Sequence, residues 1–417
     1  MDRVAILADD FTGACDTGVH FACTGMRTAF VLDPGAIASA FDSYNALALT
    51  TETRFLAPKD AAGKVFESVS LCRQAGVNFF FKKTDSALRG NPGAETEAVL
   101  NALKFPAALI CSALPAFGRT VADGILLING TPVHETSLGN DDATSMTTSD
   151  VAEWMTRQTR MRAGHVGIAD LERGRDHLVR KVRTLTESGC AAIVSDAVTN
   201  EHLDALSGVL MASRDPHGDL PPLLPVGSAG LGKAMAKAFS GTVIRKAIRP
   251  HGRMLAVVGG MNETDLEQMD FAVRNDRCAL LSFSVERALH DPEGVCEALL
   301  RVASKTDKHV VLHGDSSEES TMAIESGDHV ANVYGRLVLG LCRALPFTTV
   351  FVTGGHTAIS AVEHLGISSM MLEEEPLPGV ALGSCYSDAT NVRWFLSKAG
   401  GFGDRETLLS IADTLVR

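Results

Sequence analysis

The sequence predicts an α/β protein with two domains, each built on a largely parallel β-sheet. Strand-like and helix-like segments alternate along nearly the whole chain, which is typical of parallel sheets covered by helices. The chain has 417 residues, more than one compact core usually spans. The stretch 240–253 is rich in Arg, Lys, Pro and Gly and lies between a helical segment and a new strand. We therefore expect domains at 1–245 and 250–417, with an active-site cleft between them.

Individual elements follow from the hydrophobic pattern. Short apolar runs predict strands, and apolar spacings of three to four residues predict helices. Gly76 is expected just past one helix and Pro92 in the first turn of the next. Asn129-Gly130 predicts a turn in an antiparallel pair within 120–136. Strands are expected at 4–8, 28–32, 46–50, 77–81, 107–112, 191–195, 254–258, 309–313 and 349–353, and helices at 60–75, 92–103, 149–159 and 200–211.

Composition narrows the class of partner. The formal net charge is −12 and no sustained run of basic residues occurs, so neither nucleic acid nor an acidic membrane is an expected partner. The nine cysteines show no C-x-x-C pair, which favours a reducing, cytoplasmic compartment. We expect no signal peptide and no membrane-spanning segment.

The first motif is the segment from Val4 to Gly18, where an apolar strand ends on Asp9 and Asp10 and a helix follows. In open α/β sheets, ligands bind at the carboxyl ends of the strands. Two adjacent aspartates there can bind Mg²⁺, hydrogen-bond a polyol or accept a proton from a hydroxyl. The alternative is that Asp10 or Thr12 only caps the helix.

The second motif has the same layout and the opposite charge. A predicted strand runs into Lys82, Lys83, Thr84, Asp85, Ser86 and Arg89. Its cations predict an anion site, in which Arg89 can hold a carboxylate through two hydrogen bonds. Asp85 among these cations stays ionised and can act as a base or a metal ligand. The alternative is a solvated loop with ordinary ion pairs.

Arg54 ends another apolar strand and is a further candidate for binding a substrate carboxylate. Its alternative role is a surface salt bridge with Glu52. Asp9 and Asp85 can each accept a proton from a bound hydroxyl, and we place Asp85 ahead of Asp9 for this role, because the neighbouring cations favour its ionised form.

Glycine-rich turns mark the rest of the chain. Gly227–Lys233 nearly matches the Walker A pattern, but Ala234 lacks the hydroxyl that binds Mg²⁺, and we expect an ordinary strand-to-helix turn. In the second half, glycine pairs follow predicted strands at Gly259-Gly260, Gly354-Gly355 and Gly400-Gly401. Such turns let backbone N–H groups approach a phosphate, whereas helix packing is the simpler reason for any one of them. Thr264 with Glu267 predicts a capping box.

Taken together, the motifs resemble those of the four-carbon acid sugar kinase family, nearly from end to end. The family patterns are matched at Ala8–Gly18, Lys82–Gly90, Pro115–Thr120, Gly130–Thr136 and Gly227–Leu231. The resemblance implies phosphorylation of the terminal hydroxyl of D-threonate, D-erythronate or a 3-oxo-tetronate, with ATP and Mg²⁺. It also implies an N-terminal acid-sugar domain and a C-terminal nucleotide domain.

The resemblance assigns residues to both ligands. On the substrate side it implies Asp9, Arg54, Lys82, Lys83, Thr84, Asp85 and Ser86, to which the charge pattern adds Asp10 and Arg89. On the nucleotide side it implies Gly259, Asn262, Gly354, Gly355, His356, Thr357, Gly400 and Gly401. No metal ligand is assigned, and a homodimer is an open expectation.

The chain departs from the family pattern at three places. His356 replaces an acidic residue, 140–146 replaces a D-P-x-x-P segment, and Ala399–Gly403 replaces S-G-N-F-G. Two rival functions stay open. One is a non-catalytic acid-sugar sensor on the same scaffold. The other is a hydroxy-acid dehydrogenase, which is disfavoured because no G-x-G-x-x-G follows a strand.

Overall fold

The computed structural model describes residues 2–139, 146–240, 248–260, 262–315 and 327–416. By contacts, the chain divides into two compact units. The first comprises Met1–Thr28 and Pro34–Ile244, and the second comprises Ala29–Asp33 and Arg245–Arg417. Half of the expected linker 240–253 (residues 241–247) and most of the divergent segment 140–146 (residues 140–145) lie outside the described residues. The predicted α/β class with largely parallel sheets is confirmed.

Parallel strands form the centre of the first unit. In the described part of this unit seven strands pair in the order β3-β1-β4-β11-β5-β10-β9, all parallel. Their bounds are β1 Val4–Ala8, β3 Ala46–Thr50, β4 Phe79–Lys83, β5 Ala107–Cys111, β9 Ala163–Val166, β10 Ala192–Ser195 and β11 Leu223–Gly227. Most of these residues are buried, as expected for a sheet packed on both faces.

Helices connect these strands. Their bounds are α1 Phe11–Ala22, α2 Ile37–Ala40, α3 Pro58–Gln74, α4 Pro92–Leu103, α5 Val151–Thr156, α6 Ile168–Glu172, α7 Arg175–Glu187, α8 Asn200–Ala212 and α9 Ala229–Ser240. Gly76 has a φ of 78° just beyond α3, as predicted for a residue past a helix end. Pro92 is the first residue of α4, also as predicted.

A small antiparallel sheet also belongs to the first unit. Its strands are β6 Arg119–Ala122, β7 Ile125–Ile128 and β8 Thr131–Pro132. The predicted turn at Asn129-Gly130 joins β7 to β8. The prediction of a single strand pair is wrong, because a second turn at Asp123-Gly124 adds a third strand, and both residues there have positive φ.

The second unit has a mixed sheet. Its described strands pair in the order β13-β14-β12-β15-β18-β17-β16, parallel up to β18 and antiparallel beyond it. The bounds are β12 Arg253–Val258, β13 Cys278–Ser284, β14 His309–Asp315, β15 Phe347–Thr353, β16 Ser369–Leu377, β17 Val380–Cys385 and β18 Trp394–Lys398. Strand β2, Thr28–Val31, lies largely in the segment that groups with this unit, where the Leu32 N–H donates to the Ser368 carbonyl at 3.0 Å.

Helices of the second unit follow its parallel strands. They are α10 Glu263–Arg274, α11 Val285–His290, α12 Pro292–Ala303, α13 Gly327–Ala344, α14 Gly355–His364 and α15 Thr407–Ser410. The predicted capping box of Thr264 with Glu267 is wrong. Asn262 caps α10 instead, since its side chain accepts from the Asp265 N–H and the helix begins at Glu263.

All nine cysteines are free thiols, and Cys15, Cys111 and Cys190 are among the buried ones. Burial raises the pKa of Cys72 and Cys111 to about 12, so these thiols stay protonated. Among the described residues, no helix combines the length and the apolar character that crossing a membrane requires.

Two helix glycines give a matched test of the packing. A Cβ on Gly93 in α4 would lie 2.1 Å from the Met155 carbonyl oxygen, whereas a Cβ on Gly63 in α3 would meet nothing within 4 Å. We expect Gly63→Ala to raise the free energy of unfolding by about 0.5–1 kcal/mol. Gly93→Ala should lower it by about 1–3 kcal/mol, because the backbone oxygen must shift. Urea unfolding measures both, and equal effects of the two changes would contradict this packing.

Candidate functional site

Polar residues follow the strands of the first unit at one edge of its sheet. The register pairs Leu7 with Lys82, and pairs Gly227 with both Lys83 and Cys111, so the chain segments after these strands begin side by side. The residues that follow β1, β4, β11 and β5 are Asp9, Thr84, Ser228 and Ser112. The parallel fold therefore brings Asp9 and Thr84, which are far apart in sequence, to neighbouring positions.

Three of these buried side chains carry an oxygen without a hydrogen-bond partner in the protein. They are Asp9 Oδ1, Thr84 Oγ1 and Ser112 Oγ, and the three residues are at most 3% exposed. Buried polar atoms are nearly always hydrogen-bonded to protein, water or ligand. This edge of the sheet is thus equipped to bind a hydroxyl-bearing molecule.

Arg54 bridges the two aspartates of the first motif. Its Nε donates to Asp9 Oδ2 at 2.7 Å and its Nη1 donates to Asp10 Oδ2 at 2.9 Å. The guanidinium is largely buried, so these ion pairs are screened little by solvent. The structure differs from the alternative of a surface salt bridge with Glu52, because the largely buried Arg54 pairs with Asp9 and Asp10, while Glu52 Oε1 accepts from Thr50 Oγ1 at 2.5 Å.

Asp10 caps helix α1, which is the simpler of the two roles considered for it. Its Oδ1 accepts from the Gly13 N–H at 2.9 Å, and its Oδ2 also accepts from Thr12 Oγ1 at 2.8 Å. Burial opposes ionisation, but Arg54 and Lys83 outweigh it and lower the pKa of Asp10. Its two oxygens therefore already serve the protein, in contrast to Asp9.

Asp85 forms a two-bond ion pair with Arg89. Arg89 Nε donates to its Oδ2 at 2.9 Å and Nη2 donates to its Oδ1 at 3.1 Å. The Ala87 N–H donates to the same Oδ2 at 3.1 Å. Burial raises the pKa of Asp85, but Arg89, Arg54 and Arg119 together hold it well below its usual range.

The structure adds Arg119 to this cluster, a residue that the sequence reasoning did not assign to the site. Arg119 is 8% exposed, and its Nη1 donates to Ser86 Oγ at 3.1 Å. It begins β6, so the small antiparallel sheet delivers a third arginine beside Asp85. In the sequence, the place of Arg119 in the family motif Pro115–Thr120 was the signal that pointed to it. Its charge alone did not indicate that it lies near Ser86.

The side chain of Lys82, a predicted substrate-binding residue, has its hydrogen-bond partners inside the protein. It is fully buried, and its Nζ contacts Glu95 Oε2 at 2.7 Å, the Lys83 carbonyl at 2.6 Å and the Leu7 carbonyl at 3.4 Å. These acceptors account for the three N–H groups of its ammonium. Glu95 in turn accepts from Thr53 Oγ1 at 2.6 Å.

Lys83 differs from its neighbour. Its Nζ lies 3.7 Å from Asp16 Oδ2, and a Cβ on Gly13 would approach that Nζ to 2.8 Å. Because α1 begins with the capped turn at Asp10, Lys83 stays close to the first motif, where it lowers the pKa of Asp10. The two expected motifs, acidic and basic, are therefore one side-chain cluster.

The turn at Gly227–Lys233 is filled by protein atoms. A Cβ on Gly227 would lie 2.1 Å from the Cys111 carbonyl oxygen, and one on Gly230 would lie 2.6 Å from the Ala113 carbonyl oxygen. One on Gly232 would lie 2.6 Å from Thr17 Cγ2. These glycines allow α9 to pack closely, which agrees with the expected strand-to-helix turn rather than a Walker A loop.

In the second unit, three glycine turns follow the adjacent parallel strands β12, β15 and β18. We call Gly259-Gly260 the first turn, Gly354-Gly355 the second turn and Gly400-Gly401 the third turn. Gly354 and Gly401 have φ of 90° and 74°, and a Cβ on either would meet nothing within 4 Å. These two glycines leave backbone open to a ligand, as phosphate-binding turns require.

The other predicted nucleotide-side residues surround these turns. His356 and Thr357 lie in the first turn of helix α14, which Gly355 begins. A Cβ on Gly259 would lie 2.1 Å from Thr357 Oγ1, so Gly259 serves close packing. Asn262 Oδ1 accepts from the Asp265 N–H at 3.0 Å and its Nδ2 donates to Asp265 Oδ2 at 2.6 Å.

Sequence reasoning missed a buried ion pair behind these turns. Lys398 Nζ contacts Asp265 Oδ1 at 2.6 Å, and both side chains are 0% exposed. Burial lowers the pKa of Lys398, although Asp265 opposes this. Lys398 is the last residue of a strand and Asp265 lies in the first turn of a helix, and no local pattern in the sequence marks them as a pair.

Among the described residues, no group of three or more His, Cys, Asp or Glu side chains is arranged to hold a metal ion. Mg²⁺ usually takes one or two carboxylates and completes its shell with waters and substrate phosphates.

Glu52 gives a pH test of the acidic cluster. Burial and the charges of Asp10 and Asp9 raise the pKa of Glu52 from 4.5 to about 7, against the hydrogen bond from Thr50 and the charge of Arg54. Between these values the folded protein holds a proton that the unfolded chain has released, so the stability contributed by Glu52 falls as pH rises through this window.

We expect Glu52→Gln to remove that loss. Relative to the wild type, the variant should gain up to about 3 kcal/mol of unfolding free energy between the lower and upper ends of the window. Urea unfolding across the pH range measures the difference. If wild type and variant lose stability in parallel, Glu52 does not titrate in this window.

Comparison with known proteins matches one domain model to each part of the chain. The model of a sugar-binding N-terminal domain matches residues 4–235, and that of a nucleotide-binding C-terminal domain matches residues 255–408. The D-threonate kinase of Salmonella typhimurium is 28% identical over 97% of this chain and 96% of its own length. The D-erythronate kinase of Heliobacterium modesticaldum is 27% identical over 100% and 98%, and the 3-oxo-tetronate kinase of Brucella melitensis is 26% identical over 91% and 88%.

Solved structures agree with the fold. A Salmonella typhimurium protein superposes with a TM-score of 0.83 at 22% identity, over 100% of both chains. A Bordetella bronchiseptica protein with bound citrate, solved as a domain-swapped dimer, is 27% identical over 98% of this chain and 97% of its own, with a TM-score of 0.50. With both domain models matched in order along one chain, this protein belongs to the four-carbon acid sugar kinase family.

Proposed function

We propose that this protein is an ATP-dependent kinase that phosphorylates the terminal 4-hydroxyl of a four-carbon acid sugar, D-threonate or D-erythronate, in sugar-acid catabolism. One observation carries the proposal. At the strand ends of the first unit, unpartnered oxygens of Asp9 and Thr84 lie in the same motif cluster as Arg54, Lys83 and Arg89. A small molecule with both hydroxyls and a carboxylate complements that combination.

Different side chains of the substrate site bind different groups of the acid sugar. The carboxylate of the acid sugar binds the cationic side of the cluster, at Arg54, Lys83 and Arg89, with Arg119 beside them. Arginine suits this role because its planar fork matches a carboxylate. Thr84 and Ser86 bind hydroxyls. Lys82 supports the substrate site indirectly, through its buried ion pair with Glu95.

We assign the proton acceptor to Asp9 rather than Asp85, reversing the order favoured by the sequence. Asp9 Oδ2 is fixed by Arg54, while its Oδ1 has no protein partner and can meet the substrate hydroxyl. Both oxygens of Asp85 are engaged by Arg89, and its lowered pKa makes it a weak base. Asp85 then orients Arg89 for the substrate.

The nucleotide binds in the second unit, at the glycine turns. Backbone N–H groups at Gly355 and Gly401 contact the phosphates, Gly354 leaves room for them beside the turn, and the N-terminus of α14 favours their negative charge. Mg²⁺ supplies further charge neutralisation on the phosphates. Phosphoryl transfer needs mainly positioning and electrostatic stabilisation, so no covalent enzyme intermediate is invoked.

The division of the chain into an acid-sugar domain at 1–245 and a nucleotide domain at 250–417 is part of the same proposal. A cytoplasmic location is supported by the nine free cysteines. A homodimer is supported by the dimeric state of the Bordetella bronchiseptica relative.

A panel of four-carbon acids tests the reaction. We expect ADP release that depends on D-threonate or D-erythronate and on Mg²⁺, with the product phosphorylated at its terminal carbon. A response restricted to a 3-oxo-tetronate supports the alternative that the Brucella melitensis relative represents. Binding of an acid without ADP release indicates a sensor, and NAD-dependent oxidation of the acid indicates a dehydrogenase.

The proton acceptor is tested with two isosteric changes. We expect Asp9→Asn to lower kcat by roughly 10²–10⁴-fold, because the amide cannot accept the hydroxyl proton. Asp85→Asn should mainly raise the KM for the acid sugar, since Arg89 loses its partner. Steady-state kinetics with circular dichroism to confirm folding separates the two. The opposite result, with Asp85→Asn inactive and Asp9→Asn active, restores the sequence-based order.

A further inference from the structure

Resting on the proposed function, we propose that the buried Asp265–Lys398 ion pair positions the nucleotide site, because it joins the three glycine turns without itself contacting the nucleotide. Lys398 is thereby a positioning residue and not a phosphate ligand.

Asp265 connects the first two turns. Its Oδ2 accepts from Asn262 Nδ2 at 2.6 Å, next to the first turn, and from Thr353 Oγ1 at 3.1 Å, immediately before the second turn. Its Oδ1 accepts from Lys398 at 2.6 Å. A single buried carboxylate therefore bonds to residues beside the ends of β12, β15 and β18.

Lys398 holds the third turn from the other end. Its Nζ donates to the Phe402 carbonyl at 2.9 Å and to the Ala399 carbonyl at 3.2 Å, on either side of Gly400-Gly401. The Lys398 carbonyl accepts from the Gly354 N–H at 3.1 Å, which ties in the second turn. Gln268 also donates to the Phe402 carbonyl, at 2.9 Å.

The glycines of the first and third turns lie against the carboxylate. A Cβ on Gly260 would lie 3.4 Å from Asp265 Oδ2 and 3.1 Å from Asn262 Nδ2. A Cβ on Gly400 would lie 3.4 Å and 3.2 Å from the same two atoms. The first and third turns therefore pack against the same hydrogen-bonded pair, Asn262 with Asp265. This shared contact sets the spacing between the two turns.

The hydrogen bonds of the Lys398 ammonium group explain why this side chain does not bind phosphate. An ammonium has three N–H donors, and Asp265, Ala399 and Phe402 provide three acceptors inside the protein. The side chain is 0% exposed. A buried ion pair adds little net stability compared with apolar residues of the same volume, so fixing one conformation is the better reason for this one.

Direct nucleotide binding tests the inference in the full-length protein. The variants are Asp265→Asn, Lys398→Met and their combination, with Thr353→Val as a milder change that keeps the ion pair. ADP affinity is measured by calorimetry, KM for ATP and for the acid sugar by kinetics, and folding by urea unfolding.

We expect each single variant to weaken ADP binding roughly tenfold to hundredfold and to raise the KM for ATP, with the acid-sugar KM little changed. The double variant should regain stability, since no buried charge is left unpaired, but its ADP affinity should stay low. Thr353→Val should weaken ADP binding several-fold. Recovery of both stability and ADP affinity in the double variant would mean that the pair acts only through folding.

The Lys82–Glu95 pair is the matched control, because it is equally buried but lies in the first unit. Lys82→Met with Glu95→Gln should leave ADP affinity at the wild-type value and raise the acid-sugar KM. Wild-type ADP affinity in folded Asp265→Asn and Thr353→Val overturns the inference. Failure of the wild-type protein to bind ADP at all overturns the proposed function instead, so the two failures are distinguishable.

Discussion

Parallel pairing of the strands is the constraint on which both sites depend. In the first unit it brings Asp9 and Thr84 to neighbouring strand ends, and in the second it aligns the turns that follow β12, β15 and β18. Backbone hydrogen bonds of a parallel sheet fix this register, and each strand end leaves polar groups to be satisfied at the same edge. Ligand-binding side chains and open glycines therefore collect at that edge in each unit.

Both units contain the same kind of buried ion pair at the end of a strand. At the end of a strand a fully buried lysine pairs with an acid in the first turn of a helix: Lys82 with Glu95 in the first unit, and Lys398 with Asp265 in the second. Each lysine also donates to backbone carbonyls beside the strand end. Leaving either charge unpaired would be costly, so in each unit the pair holds the end of a strand against the first turn of a helix.

The assignment of the catalytic residue depends on which charged side chains already have hydrogen-bond partners within the protein. Among the candidate acids, Asp10 caps a helix, Asp85 is held by Arg89, and Asp9 retains an oxygen without a protein partner. The same reasoning separates Lys82, whose three donors are occupied inside the protein, from Lys83 at the edge of the cluster. By residue type the three aspartates look equivalent, and so do the two lysines. Their hydrogen bonds within the protein distinguish them.

The sequence alone determined the α/β class and the turn at Asn129-Gly130, because these rest on local hydrophobic pattern and backbone preference, and it left Asp10 and Thr12 as alternative helix caps. It missed the antiparallel β16–β17 pair, where Glu373, Glu374 and Glu375 lower the β propensity. Only the tertiary structure placed Arg119 beside Ser86, joined Lys398 to Asp265, and left Asp9 Oδ1 rather than an Asp85 oxygen without a partner. These are contacts between residues far apart in the chain, and hydrogen-bond satisfaction in a buried site is decided by packing, which no local pattern encodes.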